Sequence, residues 1–423
     1  MKMLQVDTLA SAREKLWKST EKIPVKVEKV DLLAANGRYL AEDIICQEMV
    51  PGFRRSSVDG YAVLSGDTMG ASESLPVFLN VIGEVAMGEE AVQTVHSGEC
   101  VYVPTGGMIP DGADAMVMVE YCEHFSDAEI AVYSSAAPGS HVVEAGEDMK
   151  PGDPVLKAGR RLRPQDIGAL ASLGIMEVPV YVPWKVTVLS TGDEIVAPSE
   201  TPHPGQVRDI NTYGVCAQAE KLGLAVVHYE VVQDQEEMLR KVIRKGMEVS
   251  DLVAVSGGSS QGKKDATSRI LDELADGGVF THGLALKPGK PTILAVDEAS
   301  ETLLIGLPGH PVAAILVFDL LARWLWGCKV GAVDVSHENM FAVGSGGEIC
   351  VRGKMSTNLP GAPGRMTCQL VQIKDGESGE RILTPVLGKS GLISTLTRAD
   401  GYVIIGENEE GLQKGQEVSC VLF

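Results

Sequence analysis

Apolar and polar positions divide the chain into regions of different rhythm. From Lys185 to about Val330 short apolar runs, Val186 to Leu189, Ala225 to Val232, Leu252 to Val255 and Leu303 to Ile305, alternate with longer stretches at Asn211 to Lys221, Gln235 to Met247, Ala266 to Leu274 and Val312 to Leu325. Short runs bounded by glycine read as buried strands and the longer ones as helices. That alternation predicts crossover units, a largely parallel, doubly wound α/β sheet, and ligands at the carboxyl ends of its strands.

Elsewhere the rhythm is shorter. Residues 48–140 carry small apolar runs such as Val77 to Val81 and Cys100 to Val103, separated by glycine and proline, which predicts a β-rich inserted domain. The first 47 residues give an amphipathic helix from a cap at Asp7 or Thr8, a strand at Val25 to Val30, a helical turn ending at Gly37 and an extended stretch from Tyr39 to Ile45. A polar joint at Glu144 to Asp153 leads to Pro164, at the first turn of a helix that ends at Gly174. Residues 141–184 are therefore expected to join 1–47 as one elongated helical and mixed domain, interrupted by the insert. The α/β domain spans 185–330. Beyond it, 331–423 return to β patterning with turns at Gly346-Gly347, Pro360-Gly361 and Pro363-Gly364, as a β-barrel-like domain would.

Length and charge narrow the partners. At 423 residues the chain exceeds one core. A net charge of -20 sets the field of the whole molecule against nucleic acid and against a membrane surface, so any anion site must be local. The most apolar segment, Pro311 to Trp326, is short and carries Asp319 and Arg323, so it is expected to be a buried helix rather than a membrane span. Asp7, Arg13 and Glu14 interrupt any signal-peptide core. The eight cysteines show no C-x-x-C spacing, and a reducing cytoplasm fits them best.

Candidate chemistry gathers between Asp251 and Pro311. Twice an apolar strand runs into a glycine turn that opens a helix: Ser256-Gly257-Gly258 onward to Lys263-Lys264-Asp265, and Gly306-Leu307-Pro308-Gly309-His310-Pro311. Between them Lys287-Pro288-Gly289-Lys290-Pro291 sets two cations on a proline-stiffened loop. Freed backbone amides, helix N-termini and lysines together make a cradle for a phosphate-bearing ligand. Ordinary tight turns of an α/β domain have the same composition. Gly257 to Lys263 also nearly forms a Walker A loop, but Lys264 stands where a hydroxyl would hold magnesium. Asp59, Asp148, Glu194, Asp234 and Asp265 follow glycine or stand where loops leave strands, as ligands of a hard divalent cation or as caps and turn residues. Capping is the default role of Asp234, Asp209 and Asn211, each just before a helix. The stretch Thr105 to Asp114 reads as a rigid turn, and His310 serves equally well as a helix-start residue or a ligand. No nucleophilic triad is apparent.

These motifs in this order resemble the MoeA family, the molybdopterin molybdenumtransferases that also form the E domain of gephyrin. Carrying the resemblance are Pro51-x-Phe53 with Ser56-x-x-Asp59-Gly60-Tyr61-Ala62, the Thr105-Gly106 to Asp114 turn, Gly146-Glu147-Asp148, and Ser190-Thr191-Gly192-Asp193-Glu194. Ser256-Gly257-Gly258 through Asp265, Lys287 to Pro291, Gly306 to Gly309 with Pro311, Ser390-Gly391, Ser394 and Ala399-Asp400-Gly401 complete it. The resemblance implies an elongated homodimer of four domains per chain, with a site in the α/β domain of one subunit facing the β insert of the other. It further implies adenylylated molybdopterin and molybdate as substrates, AMP as a product and a divalent cation such as Mg2+; whether a separate adenylylating partner enzyme docks is left open by the sequence. Ser256, Gly257, Gly258, Pro308, Gly309 and Pro311, with Lys287 and Lys290, would then hold pterin phosphate or oxyanion. Asp59, Glu194 and Asp265 would hold or orient the cation as the catalytic carboxylates, and Thr105 and Asp148 would line the facing domain. The chain departs from the family pattern at Arg54, at His310, at Ser259-Ser260 and at Lys263-Lys264. A tungstate-specific transferase, a non-catalytic molybdopterin-binding scaffold and a Walker-type nucleotide hydrolase are the alternative readings.

Overall fold

The computed structural model describes residues 6–126, 128–257, 264–335 and 349–423, with Lys264 and Asp265 described in their backbone alone. The chain forms two compact units: Met1–Glu42 with Ala158–Arg163 and Glu177–Phe423, and Asp43–Lys157 with Pro164–Met176.

The smaller unit is built on a six-stranded sheet. Its strands in chain order are Gly60–Val63 (β1), Val77–Glu84 (β2), Glu99–Val103 (β3), Ala115–Met118 (β4), Cys122–Ser126 (β5) and Glu129–Val132 (β6). They lie in the order β4-β1-β3-β2-β6-β5. Side chains alternate across a strand, so β1 sends Tyr61 and Val63 into one core with Leu79, Val117 and Ile130, and Ala62 into another with Val101, Val103 and Met116. The helix Pro164–Ser172 belongs to this unit.

In the larger unit Leu9–Thr20 (α1) begins at Thr8, whose Oγ1 accepts from the Ser11 N–H at 3.1 Å. Val27–Asp31 pairs antiparallel with Glu177–Tyr181. The central sheet has six strands: Lys185–Thr191 (β7), Ala225–Val232 (β8), Leu252–Gly257 (β9), Val279–His282 (β10), Ile293–Asp297 and Thr302–Leu307. A short strand, Leu286–Lys287 (β11), precedes the last two, which are β12 and β13. The order is β8-β7-β9-β13-β12-β10. The four strands β8, β7, β9 and β13 are parallel, whereas β12 runs antiparallel to β13 and to β10. The connection from Asp297 to Thr302 is too short for a crossover, so it closes a hairpin through Glu301, at φ 55°.

Both faces of this sheet are covered. Asn211–Lys221 (α2) and Pro311–Lys329 (α5) pack on one face against Val186, Val188, Ala254 and Ile305. Glu236–Val249 (α3) and Lys264–Leu274 (α4) pack on the other against Leu189, Val253, Val255 and Leu304. The expected doubly wound α/β domain is therefore found, with an antiparallel edge. Helix α5 runs to Lys329 rather than stopping near Leu325, through a π turn at Asp319–Arg323. Length and composition would allow it to span a membrane, but 89% of its most apolar window is buried inside the fold, where Leu316, Val317, Phe318 and Trp324 are core residues. The arm of Arg13 from α1 donates to the Leu320 carbonyl at 2.9 Å and lies 5.3 Å from the Trp324 ring centre.

The last strands are Cys350–Met355 (β14), Met366–Asp375 (β15), Arg381–Pro385 (β16), Gly401–Ile405 (β17) and Glu417–Leu422 (β18). Pairing runs β15-β16-β14-β18-β17 and returns from β17 to β15, closing a small barrel around Met355, Val371, Leu383, Val403 and Cys420. Strand β11 joins this barrel in parallel, with Leu286 opposite Met366 and Lys287 opposite Thr367.

Candidate functional site

In the larger unit the carboxyl ends of β7, β9 and β13 lie side by side, with Ser190 opposite Ser256, Thr191 opposite Gly257 and Ser256 opposite Leu307. Each strand hands the chain to a turn that the sequence had singled out. Gly257 holds φ +130°, and a Cβ there would lie 2.0 Å from the Thr191 carbonyl oxygen, so this close strand approach admits glycine alone. Gly257→Ala is expected to lower stability by about 2 kcal/mol or more. A urea midpoint equal to that of the unchanged protein would show instead that the strand ends can part at little cost.

The turn after β13 opens α5 in a favourable way: His310 is at the N-cap and Pro311 at the first helical position, where its missing N–H leaves nothing unpaired. Three polar side chains join these turns. Asn211 Nδ2 donates to Ser256 Oγ at 2.8 Å and to the Gly309 carbonyl at 2.9 Å, and Ser256 Oγ donates to the Pro308 carbonyl at 3.2 Å. Thr212 Oγ1 donates to Ser190 Oγ at 2.7 Å. Thr191, Asp209 and Asn211 are 1%, 6% and 8% exposed, and Thr191 Oγ1, Asp209 Oδ2 and Asn211 Oδ1 lack a hydrogen-bond partner. Buried polar atoms of this kind cost free energy unless something binds them, and these three belong to the end of β7 and the start of α2.

Asp209 stands one residue ahead of the N-cap of α2, though its Oδ1 still accepts from the Thr212 N–H at 3.2 Å. Asn211 does not: Ile210 is the N-cap and Asn211 bridges the two turns instead. Asp234 was expected to cap α3, but Gln235 is the N-cap residue, and the Asp234 N–H donates to Asp193 Oδ1 at 3.2 Å. Glu194 is exposed, and its carboxylate folds back over Gly192, where a Cβ would meet Oε2 at 2.8 Å. Lys287 and Lys290 are also exposed, on a loop fastened where Thr292 Oγ1 donates to the Gly289 carbonyl at 2.7 Å. His310 Nδ1 lies 2.8 Å from Ser390 Oγ, and the Val312 N–H donates to the Ser390 carbonyl at 3.2 Å. The residue that departs from the family pattern thus ties its turn to the loop after β16. Gly258, Ser259, Ser260 and Lys263 lie outside the described residues, as do the side chains of Lys264 and Asp265; the Asp265 backbone stands in the first turn of α4.

In the smaller unit Asp59 Oδ1 accepts from the Thr105 N–H at 2.7 Å. The Gly106 N–H donates to the Ser56 carbonyl at 2.8 Å and the Ser56 N–H to the Gly107 carbonyl at 2.9 Å, so the two motifs are laced together along their backbones. Asp59, Thr105 and Asp148 are all exposed. Asp148 reaches this unit's other motif through its N–H, which donates to the Val50 carbonyl at 3.1 Å. Asp114 serves the turn, accepting from the Ser65 N–H at 2.6 Å and the Ser65 hydroxyl at 2.7 Å. Arg54 donates to the Ala113 carbonyl at 2.7 Å and lies 3.6 Å from a Glu144 carboxylate oxygen, a local structural duty for that departure.

Among the described residues no group of three or more His, Cys, Asp or Glu side chains gathers to hold a metal ion. Burial pushes the thiols of Cys100, Cys122, Cys216, Cys328, Cys368 and Cys420 up to about 12, which keeps them protonated and poorly nucleophilic near neutrality.

Residues 8–174 match the model of the MoeA N-terminal region (domain I and II), 187–325 that of a probable molybdopterin binding domain, and 352–423 that of the MoeA C-terminal region (domain IV). The chain belongs to the MoeA family. Among its MoeA relatives, the molybdopterin molybdenumtransferase of Haemophilus influenzae is 33% identical over 418 residues, 98% of each chain. That of Bacillus subtilis is 29% identical over 395 residues, 91% of this chain and 87% of the relative. The crystal structure of a molybdopterin biosynthesis MoeA protein from Pyrococcus horikoshii is 34% identical, covers 99% of both chains and superposes with a TM-score of 0.77. The MoeA segment matched as a molybdopterin binding domain is the one that contains the strand ends joined by Asn211 and Ser256.

Proposed function

We propose that the protein is a molybdopterin molybdenumtransferase of molybdenum cofactor biosynthesis, which inserts molybdate into the dithiolene of adenylylated molybdopterin and releases AMP. The observation that carries this reading is the coincidence of the matched probable molybdopterin binding domain with adjoining strand ends at which Asn211 joins Ser256 to the Pro308–Gly309 turn, and in which three buried polar atoms, of Thr191, Asp209 and Asn211, lack partners. Phosphate and oxyanion groups are held by the glycine turns, by the N-terminus of α5 and by Lys287 and Lys290. Local cations are needed because the molecule as a whole carries a charge of -20.

A divalent cation such as Mg2+ fits the donor chemistry at the mouth of this edge, where Glu194 presents an exposed carboxylate and Asp265 stands at the start of α4. When bound, such an ion polarises phosphoanhydride oxygens as a Lewis acid. Asp59, with Thr105 held on its carboxylate, completes the acidic set from the partner subunit of a homodimer, and Asp148 lines the same facing domain. The substrate comes from a separate adenylylating enzyme. The cytoplasm is the working compartment, in keeping with eight cysteines that show no C-x-x-C spacing.

Release of AMP from adenylylated molybdopterin, followed with and without molybdate, tests the reading. Molybdate-dependent release is expected. Binding of the substrate without any release, at saturating molybdate and Mg2+, would mark the protein as a scaffold rather than an enzyme.

A further inference from the structure

Asn211 came from the sequence as a cap and is no such thing in the structure. It is the first residue of α2, it is buried, and both of its amide protons point away from the helix backbone to groups on two other elements. One goes to Ser256, the last fully buried residue of β9 before Gly257, and the other to the Gly309 carbonyl in the turn that opens α5.

The partners fix which way the amide faces. A carbonyl oxygen only accepts, so Gly309 requires a donor. Ser256 has one hydroxyl proton, which goes to the Pro308 carbonyl, so its oxygen also accepts from Asn211. The result is a closed set of bonds in which one side chain holds the end of β9 and two successive carbonyls of the proline-glycine turn. Turning the amide over would set its oxygen against two acceptors. Asn211 Oδ1 is left with no partner, as are Thr191 Oγ1 and Asp209 Oδ2.

We propose that Asn211 is a positioning residue that fastens the Ser256–Gly257 strand end to the Pro308–Gly309 turn, so that the two ligand-holding segments act as one rigid edge. This rests on the reading of those segments as the ligand edge. A shift of an ångström in such a segment is enough to weaken an oriented contact severely. In the second of these segments proline at 308 and 311 removes two of the N–H groups that a turn would otherwise use, which leaves more of the holding to side chains.

The test uses the full chain with Asn211→Asp, which keeps the shape but removes both donors, and Asn211→Ala, which removes the side chain and keeps a good helix former should the aspartate fail to fold. Amide hydrogen exchange is measured on the ligand-free protein. Exchange in the peptide covering 306–312 is expected to rise by about tenfold or more, with the neighbouring strand β12 and the barrel strand β17 unchanged. No change at 306–312, or an equal rise in all three regions, would overturn the proposal, since the second is what general loss of stability produces. In steady-state AMP release, KM for adenylylated molybdopterin is expected to rise about tenfold with kcat within about threefold, the pattern of lost ground-state positioning. Faster exchange with an unaltered KM would show that the fastening does not serve the ligand and would equally overturn it. If the unsubstituted protein releases no AMP, the functional reading fails, while the exchange experiment still decides what Asn211 holds.

Discussion

Glu194→Gln is expected to cut molybdate-dependent AMP release by about 100-fold or more, an increase of about 2.7 kcal/mol in the barrier, if its carboxylate serves the cation. The substitution keeps the shape and removes one unit of ligand charge. Glu194 is exposed and its carboxylate folds over Gly192, with no hydrogen bond or ion pair among the described residues, so the thermal midpoint should stay within a degree or two. Raising Mg2+ should recover part of the loss, because a weakened site is still filled by mass action. Full activity at limiting Mg2+ would remove Glu194 from the cation site.

Mixing two inactive proteins is expected to restore activity. Asp59 lies in the smaller unit and Glu194 in the larger one, and the proposed homodimer brings them together from different chains. Asp59→Asn and Glu194→Gln subunits, co-expressed with different tags, would build one intact and one doubly altered site in each mixed dimer. With random pairing about half the dimers are mixed, so recovery should approach about a quarter of the unsubstituted rate. A purified mixed dimer with no activity would place both carboxylates in the site of a single chain.

Much of the fold was legible because short apolar runs alternating with amphipathic stretches leave few architectures open. Helix α2 and strand β8 fall where the pattern put them, at Asn211–Lys221 and Ala225–Val232. What escaped was the hairpin β12–β13, since a fully buried strand shows the same run of apolar residues whichever way it points. The end of α5 escaped as well: the apolar run places it near Leu325, yet the helix continues to Lys329 through a π turn in which Asp319 and Arg323 pair with each other at 2.6 Å. At the site, glycine and proline announced the turns because those residues restrict the backbone locally. Asn211 announced nothing, since its partners lie 45 and 98 residues away and an asparagine before a helix usually has a humbler task. Only the two flanking signals, a buried-strand serine and a proline-glycine turn, hinted that something had to join them.

The pairing of β11 with the barrel has a consequence for a chain still being made. Lys287 is held opposite Thr367, and the turn at His310 is held by Ser390, so each waits about 80 residues for its partner. At about 5–20 residues per second, a ribosome exposes the α/β sheet several seconds before the strand and loop that set its lysine and its histidine. Closing loops of this length carries an entropic cost that only later contacts offset. In the proposed transferase a nascent chain therefore presents strand ends before Lys287 and His310 are set, and acquires its complete ligand edge only when the final domain has emerged and closed.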